Sequence, residues 1–284
     1  MSRRSPLEVT KANGEREPFS PGKLTRSLLA AGAAPDLAGR VVERVVERME
    51  PGATTRRIYR DAFRLLHREV GQVATRYSLK QAILRLGPSG YPFERLWGGV
   101  LEAEGYDVRY DEMVRGRCVS HEVDVLAERD GQTLGFECKY HSRKGRSTDL
   151  KVALYVGGRA QDLREGPERI GAYGLVTNTR LTSDALAYGR CSGLRVVDWS
   201  HPAGSGLKDL VERHGLLPVS CLTSLRKEAK LELLAAGVVL CRDLAADPER
   251  HLAALGADVR PSERRALIEE LDTLAPIWTI PPPN

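Results

Sequence analysis

Residues 121–141 read HEVDVLAERDGQTLGFECKYH, and this stretch decides the fold of the middle of the chain. Its centre, Asp130 followed by Gly131, favours a two-residue type I′ turn because both residue types tolerate a positive φ. The apolar-rich runs on either side of the turn have the composition of strands. The stretch therefore predicts a β-hairpin in which Arg129 faces Gln132.

Counting outward from this turn assigns every side chain to one face of the hairpin, since successive residues of a strand point to opposite faces. One face is entirely apolar and is predicted to line the core. It holds Val123, Val125, Ala127, Leu134, Phe136 and Cys138. The other face holds Glu122, Asp124, Glu137 and Lys139.

Two acids of the polar face, Asp124 and Glu137, are predicted to stand directly opposite each other. Like charges in such a pair destabilise a sheet unless a cation lies between them. Two carboxylates with retained waters suit a hard octahedral ion, so we expect Mg²⁺ or Mn²⁺ as the cofactor. Lys139 would orient an attacking water or offset the charge that develops on a phosphodiester. The alternative is a solvated hairpin face with a Glu–Lys cross-strand pair.

This pattern, Val123-Asp124 followed by Glu137-Cys138-Lys139, resembles the core of the PD-(D/E)xK nucleases and their Mrr-like restriction endonuclease branch. The resemblance implies that Asp124 and Glu137 bind the metal and that Lys139 assists catalysis. It also implies a further carboxylate on the preceding helix, for which the candidate is Glu94. The alternative for Glu94 is a first-turn acid favoured by the helix dipole.

The resemblance continues downstream and implies a restriction-endonuclease-like α/β fold, a mixed sheet flanked by helices. Residues 151–156 resemble the helix after the catalytic strand, and residues 174–178 resemble the next core strand. A helix over 181–188 and a last strand over 193–199 complete the order. Strands that alternate with helices favour the α/β class independently.

A basic loop follows the catalytic strand and carries Arg143, Lys144 and Arg146. Its composition suits contacts with DNA phosphates. A solvated surface loop is the alternative.

Positive charge is concentrated at the front of the chain. Residues 1–91 hold 17 basic and 9 acidic residues, whereas the remainder holds 26 basic and 29 acidic ones. A basic segment of this kind is predicted to bind a polyanion, either nucleic acid or a nucleotide polyphosphate.

The front segment also carries several short motifs in a characteristic order along the chain. They are Val9-Thr10-Lys11 with Gly14, Glu17-Pro18-Phe19-Ser20, Lys23-Leu24 with Ser27-Leu28, Thr54-Thr55 before Ile58, and Tyr77-Ser78-Leu79-Lys80 with Ile83-Leu84-Arg85-Leu86-Gly87. This set resembles an ATP-cone, the nucleotide-binding regulatory module of ribonucleotide reductases. The resemblance implies binding of ATP or dATP.

Three residues are the candidate nucleotide contacts: Lys11, Lys23 and Thr55. Lys23 is predicted to begin a helix whose dipole also favours phosphate. One departure is Ala12, because the family usually has Arg there, so one triphosphate contact is missing. The alternative is a basic helical domain that contacts the DNA backbone. No GxxxxGK[ST] loop occurs in the sequence, so ATP is expected as an effector rather than a fuel.

The last part of the chain is predicted to form short helices, including one capped by Asp247-Pro248. It loosely resembles helix-hairpin-helix or SAM-like modules, while a helical lid or an oligomerisation element, as in a homo-oligomer, is the alternative. The predicted domains are therefore an ATP-cone over 1–90, a nuclease domain over 91–200 and a helical region over 201–284.

Five widely spaced cysteines, an odd number, favour reduced thiols and hence the cytoplasm. The chain starts without a hydrophobic signal segment, and its apolar runs are too short to span a bilayer, so no membrane contact is expected.

Together these features predict a Mg²⁺-dependent DNA endonuclease, acting in restriction or DNA repair and regulated by ATP or dATP. The alternative is a nucleotide-sensing DNA-binding or transcriptional regulatory protein without cleavage activity. RNA or branched DNA also remains open as the substrate.

Overall fold

A computed structural model describes residues 8–10, 15–30, 33–50, 52–55, 57–58, 61–62, 65–66, 79–168, 170–255 and 259–279. The chain forms two compact units, 1–79 and 80–284. The division into three domains stays a prediction.

The N-terminal unit combines a short hairpin with helices. Strands β1 (Glu8–Thr10) and β2 (Arg16–Pro18) pair antiparallel, and helices α1 (Pro21–Ala30) and α2 (Pro35–Glu47) follow. Apolar residues recur along α2 at helical spacing and are buried in the core of this unit. The backbone N–H of Thr10 donates to the carbonyl of Ala53 at 3.1 Å. This bond holds β1 against residues 52–54.

The second unit is built on a five-stranded sheet in the order β3-β4-β5-β7-β9. Strands β3, β4 and β5 are antiparallel to their neighbours, whereas β5, β7 and β9 run parallel, so the sheet is mixed. The strands are β3 (Asp107–Arg115), β4 (Ser120–Arg129), β5 (Gln132–Lys139), β7 (Ala172–Thr177) and β9 (Arg195–Val197). A separate two-residue ladder pairs β6 (Ser147–Thr148) with β8 (Arg180–Leu181). The mixed α/β class predicted from the sequence is confirmed.

Helices cover both faces of this sheet. They are α3 (Tyr91–Ala103), α4 (Leu150–Arg164) and α5 (Ser183–Ser192). Trp97 of α3 packs edge-on against Phe136, with ring centroids 5.1 Å apart. Ala153 and Val156 of α4 share a buried cluster with Leu126, whose side chain alternates to the other face. The central strands are therefore buried on both sides.

The predicted hairpin is present, with its turn at Asp130 (φ 52°) and Gly131 (φ 73°). The pairs run from Arg129 opposite Gln132 to Val125 opposite Phe136, as the sequence predicted. Val125 with Phe136 is the last pair that the structure describes between β4 and β5. The predicted Asp124–Glu137 ladder pair is therefore not formed as such.

Side-chain alternation in β4 reverses at this point. Val123 was predicted on the same face as Val125, but it lies in the buried cluster that contains Leu126. A Cβ added at Gly135 would lie 3.3 Å from Val123 Cγ1, which supports the same placement. Val123 is buried as predicted, but the predicted face of the sheet was wrong, because Asp124 interrupts the regular pleat of the strand.

The end of the chain is helical, as expected. Its helices are α6 (Leu207–Arg213), α7 (Lys227–Ala235), α8 (Cys241–Ala246), α9 (Pro248–Ala253) and α10 (Pro261–Thr279). The Asp247 side chain accepts from the N–H of Arg250 at 3.1 Å, which confirms the predicted N-cap. None of the helices that the structure describes is both long and apolar enough to span a membrane.

Gly174 of β7 is required by close packing between adjacent strands. An added Cβ would lie 2.5 Å from the Phe136 ring and 2.7 Å from the carbonyl oxygen of Arg195. Gly174→Ala should therefore destabilise the protein by about 1 to 3 kcal/mol in urea unfolding. Gly158→Ala is the control, since nothing lies within 4 Å of that position in α4. It should be neutral or slightly stabilising, and equal losses in both variants would contradict the packing argument.

Candidate functional site

Glu137, near the end of β5, is the centre of the candidate site. Its side chain is only 4% exposed, and both of its carboxylate oxygens contact cations. Lys139 Nζ lies 2.5 Å from Glu137 Oε1, and Arg159 Nη1 lies 2.5 Å from Oε2. A buried carboxylate needs such partners, because an unpaired charge in a protein interior is strongly destabilising. The structure thus brings Glu137 and Lys139 together, as the sequence predicted.

Asp124 lies next to Glu137 at the interruption of the ladder. Its Oδ2 accepts a hydrogen bond from the backbone N–H of Cys138 at 2.7 Å. Partial burial, followed by the charge of Glu137, raises the pKa of Asp124 to about 6. The carboxylate therefore replaces a backbone acceptor and stays close to the second acid.

Glu94 lies in the first turn of α3, on the opposite layer from α4. Burial, followed by the charges of Asp124 and Asp111, raises the pKa of Glu94 to about 7. Glu94 is thus near the other acids, as the predicted role requires. Its position in the first turn also agrees with the helix-dipole alternative.

Arg159 was not among the sequence-predicted site residues. Besides Glu137, its Nη1 contacts the carbonyl oxygen of Glu122 at 2.8 Å, and its Nη2 donates to Tyr155 Oη at 2.5 Å. The signal in the sequence was its position beside the buried stripe of α4, which includes Val156 and Ala160. A helical wheel of α4 would have placed this cation at the edge of the sheet-facing side.

Asp111 of β3 was also missed. It has a positive φ of 54°, which is uncommon for a residue with a side chain. The pairs on either side of it, Tyr110 with Val125 and Glu112 with Val123, place it level with Asp124. The acidic positions therefore continue onto a third strand, and nothing in the strand pattern of 107–115 signalled this conformation.

Carboxylate oxygens are the donors that the candidate site offers to a metal ion. Mg²⁺ is commonly held by one or two carboxylates and retained waters, so Asp124 and Glu137 suit it chemically. In the part of the chain that the structure describes, no three His, Cys, Asp or Glu side chains form a group that could hold a metal. A metal at Glu137 would also have to compete with Lys139 and Arg159. The residues therefore fit a two-carboxylate site with water ligands, not a protein cage.

The predicted DNA-contacting residues Arg143, Lys144 and Arg146 are all exposed in the loop after β5. The loop begins at His141, whose backbone exchanges two hydrogen bonds of 2.9 Å with the Asn178 side chain. The base of the loop is thus fixed while its cations face solvent.

The predicted nucleotide contacts are only partly described. Lys23 is exposed near the start of α1 and lies 3.5 Å from a carboxylate oxygen of Glu17. Thr55 is partly buried and follows the residues that contact Thr10. Lys11 lies outside the described residues. The contact of Thr10 with residues 52–54 places Thr55 near the end of β1, and its role as a nucleotide contact stays a prediction.

Comparison with protein families finds a match near each end of the chain. Residues 7–69 match the ATP cone domain, and residues 217–274 match the domain described as AF1548-like, C-terminal. The chain therefore carries an ATP cone domain at its front, followed by an α/β unit and a helical C-terminal region. The ATP cone implies that it binds ATP or dATP.

Two further comparisons each find a match that this chain covers over most of its length. An uncharacterised protein of Archaeoglobus fulgidus is 35% identical over 161 residues, which is 57% of this chain and 90% of the relative. A crystal structure of a protein of unknown function, AF1548, is 32% identical with a TM-score of 0.56. It covers 66% of this chain and 98% of its own. The chain belongs to the AF1548-like family.

Glu94→Gln should stabilise the protein at about pH 8 in the presence of a chelator. The pKa of Glu94 rises from 4.5 to about 7 on folding, so its ionisation destabilises the folded state progressively across that interval. The amide removes this effect, which we expect to be about 1 kcal/mol after solvent screening. Thermal unfolding should show the gain at about pH 8 and lose it near pH 4.

The matched control is Glu102→Gln in the same helix, where the side chain is exposed. Its unfolding temperature should differ little from wild type at either pH. A destabilised Glu94→Gln variant, or a gain that is independent of pH, would contradict the electrostatic explanation.

Proposed function

We propose that the protein is a Mg²⁺- or Mn²⁺-dependent nuclease of the PD-(D/E)xK type that hydrolyses phosphodiester bonds in DNA under the control of ATP or dATP. The observation that carries this proposal is the pairing of buried Glu137 with Lys139, beside Asp124 at the end of a strand pair. A solvated hairpin face would leave these charges exposed, whereas Glu137 is buried.

Each residue has a role in this chemistry. Asp124 and Glu137 would hold the ion, which supplies charge neutralisation and an activated water when bound. Lys139, already within 2.5 Å of Glu137, is placed to orient a water or to balance charge on the scissile phosphate. Arg159 keeps the Glu137 carboxylate in place from the side of α4.

Regulation would come from the N-terminal unit. Since the sequence has no GxxxxGK[ST] P-loop, which ATP-hydrolysing motor proteins use, bound ATP or dATP acts as an effector. Control of this kind is a coupling free energy between two sites, typically about 1 to 3 kcal/mol.

One observation favours a second candidate function, nucleotide-controlled DNA binding without cleavage. Both oxygens of Glu137 already contact fixed cations, Lys139 and Arg159, so the carboxylate is neutralised without a metal. A protein that binds DNA but leaves plasmid uncut with either Mg²⁺ or Mn²⁺ would belong to this class.

Asp124→Asn, Glu137→Gln and Lys139→Met should each lower the rate of DNA cleavage at least about a hundredfold. The reason is that each change removes a metal ligand or the neighbouring cation. The measurement is plasmid cleavage with Mg²⁺ or Mn²⁺, on a panel that includes linear, branched and single-stranded DNA.

The control for these variants is Glu128→Gln, an exposed acid on the same strand as Asp124. Its cleavage rate should remain that of the wild type. Full activity in all three site variants would reject the proposed catalytic residues, and an uncut panel with the wild type would reject the nuclease function.

Lys23→Ala combined with Lys11→Ala should weaken ATP binding without removing cleavage at saturating Mg²⁺. Loss of two cations that contact the triphosphate should lower the affinity about tenfold or more in calorimetry. Arg48→Ala, an exposed cation of the same unit, is the control. An unchanged affinity in the double variant would reject Lys11 and Lys23 as nucleotide contacts.

A further inference from the structure

Cations from three separate segments meet at the edge of the sheet where the parallel strands β5, β7 and β9 end. We call this surface the basic edge. It consists of Lys80, Lys144, Arg146 and Arg180, together with the aromatic ring of Trp199. Of these cations, only Lys144 and Arg146 of the loop were predicted from the sequence, because Lys80 and Arg180 lie far from them along the chain.

The ladder between β6 and β8 builds the middle of the basic edge. Ser147 pairs with Arg180 in parallel register, so Arg146, the preceding residue, lies beside β8. The N–H of Thr182 also donates to the carbonyl of Thr148 at 3.0 Å and extends the attachment. Adjacent strands are about 4.8 Å apart, so these exposed cations are close neighbours.

Trp199 fixes the far end of the basic edge. Its backbone N–H donates to the carbonyl of Thr179 at 2.8 Å, directly before β8. Lys80 Nζ lies over its ring, 4.9 Å from the centroid, in a cation–π contact. This contact directs the Lys80 ammonium toward the same edge as Arg180.

The cations are close enough to repel one another. Desolvation, followed by the charges of Arg180 and Lys144, lowers the pKa of Lys80. Asp198 opposes this effect, but its carboxylate is buried and accepts three backbone hydrogen bonds. Among the described residues, no carboxylate lies within ion-pair distance of Lys80, Arg146 or Arg180. Asp198 offsets only part of the repulsion between Lys80 and Arg180, and an anionic ligand would relieve the rest.

The basic edge continues to the candidate catalytic site. Burial, followed by the charges of Arg146 and Lys139, lowers the pKa of His141, so both cations lie near the same imidazole. Lys139 in turn contacts Glu137. The row of cations therefore extends from Lys80 at Trp199, through the loop, to Lys139 beside the carboxylates.

We propose that the basic edge binds the phosphodiester backbone of a nucleic acid and guides it to the site at Glu137. Several exposed cations spread along one open edge suit successive phosphates of a polymer better than the compact phosphate group of one nucleotide. The choice of nucleic acid at this site rests on the proposed function. The binding itself requires no metal, so the two can fail separately.

The test measures binding of a labelled DNA duplex, and of its single strand, to the full-length protein by fluorescence anisotropy in EDTA without nucleotide. Arg180→Ala and Lys80→Ala should each weaken binding about fivefold to tenfold and lower the slope of log affinity against log salt by about one. The double variant should lose both contributions. Thermal unfolding of each variant checks that the fold is intact.

Arg195→Ala is the matched control, because this exposed arginine lies at the other end of β9 from Trp199. Its affinity should stay within about twofold of the wild type, since it is outside the proposed contact surface. Wild-type affinity in the folded double variant would overturn the inference, as would an equal loss in Arg195→Ala or a wild type that binds neither strand form. Normal binding with no cleavage would reject the nuclease proposal alone.

Discussion

The backbone N–H of Cys138 donates its hydrogen bond to a carboxylate rather than to a neighbouring strand's carbonyl, and the arrangement of the central sheet depends on this bond. With Asp124 as the acceptor, the β4–β5 ladder stops after Val125 and Phe136. Side-chain alternation then reverses, which keeps Val123 buried although the pleat is interrupted. An acid is thereby held beside Glu137 in an interior where a charged group would otherwise be excluded.

The charge of Glu137 is balanced by two cations from different elements. Lys139 is on the same strand as Glu137, whereas Arg159 comes from the following helix. The helix can supply it because its apolar stripe packs against the sheet and fixes the phase of the arginine. Packing of the core therefore determines the electrostatics of the candidate site, and a shift of α4 would leave Glu137 without one of its two cations.

Local chemistry explains what could be predicted from the sequence. Asp130 and Gly131 determine the turn by themselves, so the hairpin and its first pairs were predictable. The interruption at Asp124 was not, because it depends on competition between a side chain and the backbone for one amide. Arg159 could be predicted as a site residue only from the rotation of its helix relative to the sheet. The positive φ of Asp111 could not be predicted, because the residues of its strand follow an ordinary pattern. Contacts between distant segments therefore account for most of what was missed.

The two-residue ladder of β6 and β8 has an evolutionary consequence. It anchors the chain at Ser147, immediately after the exposed loop, while Asn178 clamps the other end at His141. Insertions or deletions between these anchors change the ends of the loop little, and surface loops tolerate changes in length at small entropic cost. The length of this loop can therefore change without disturbing the framework that carries the acids.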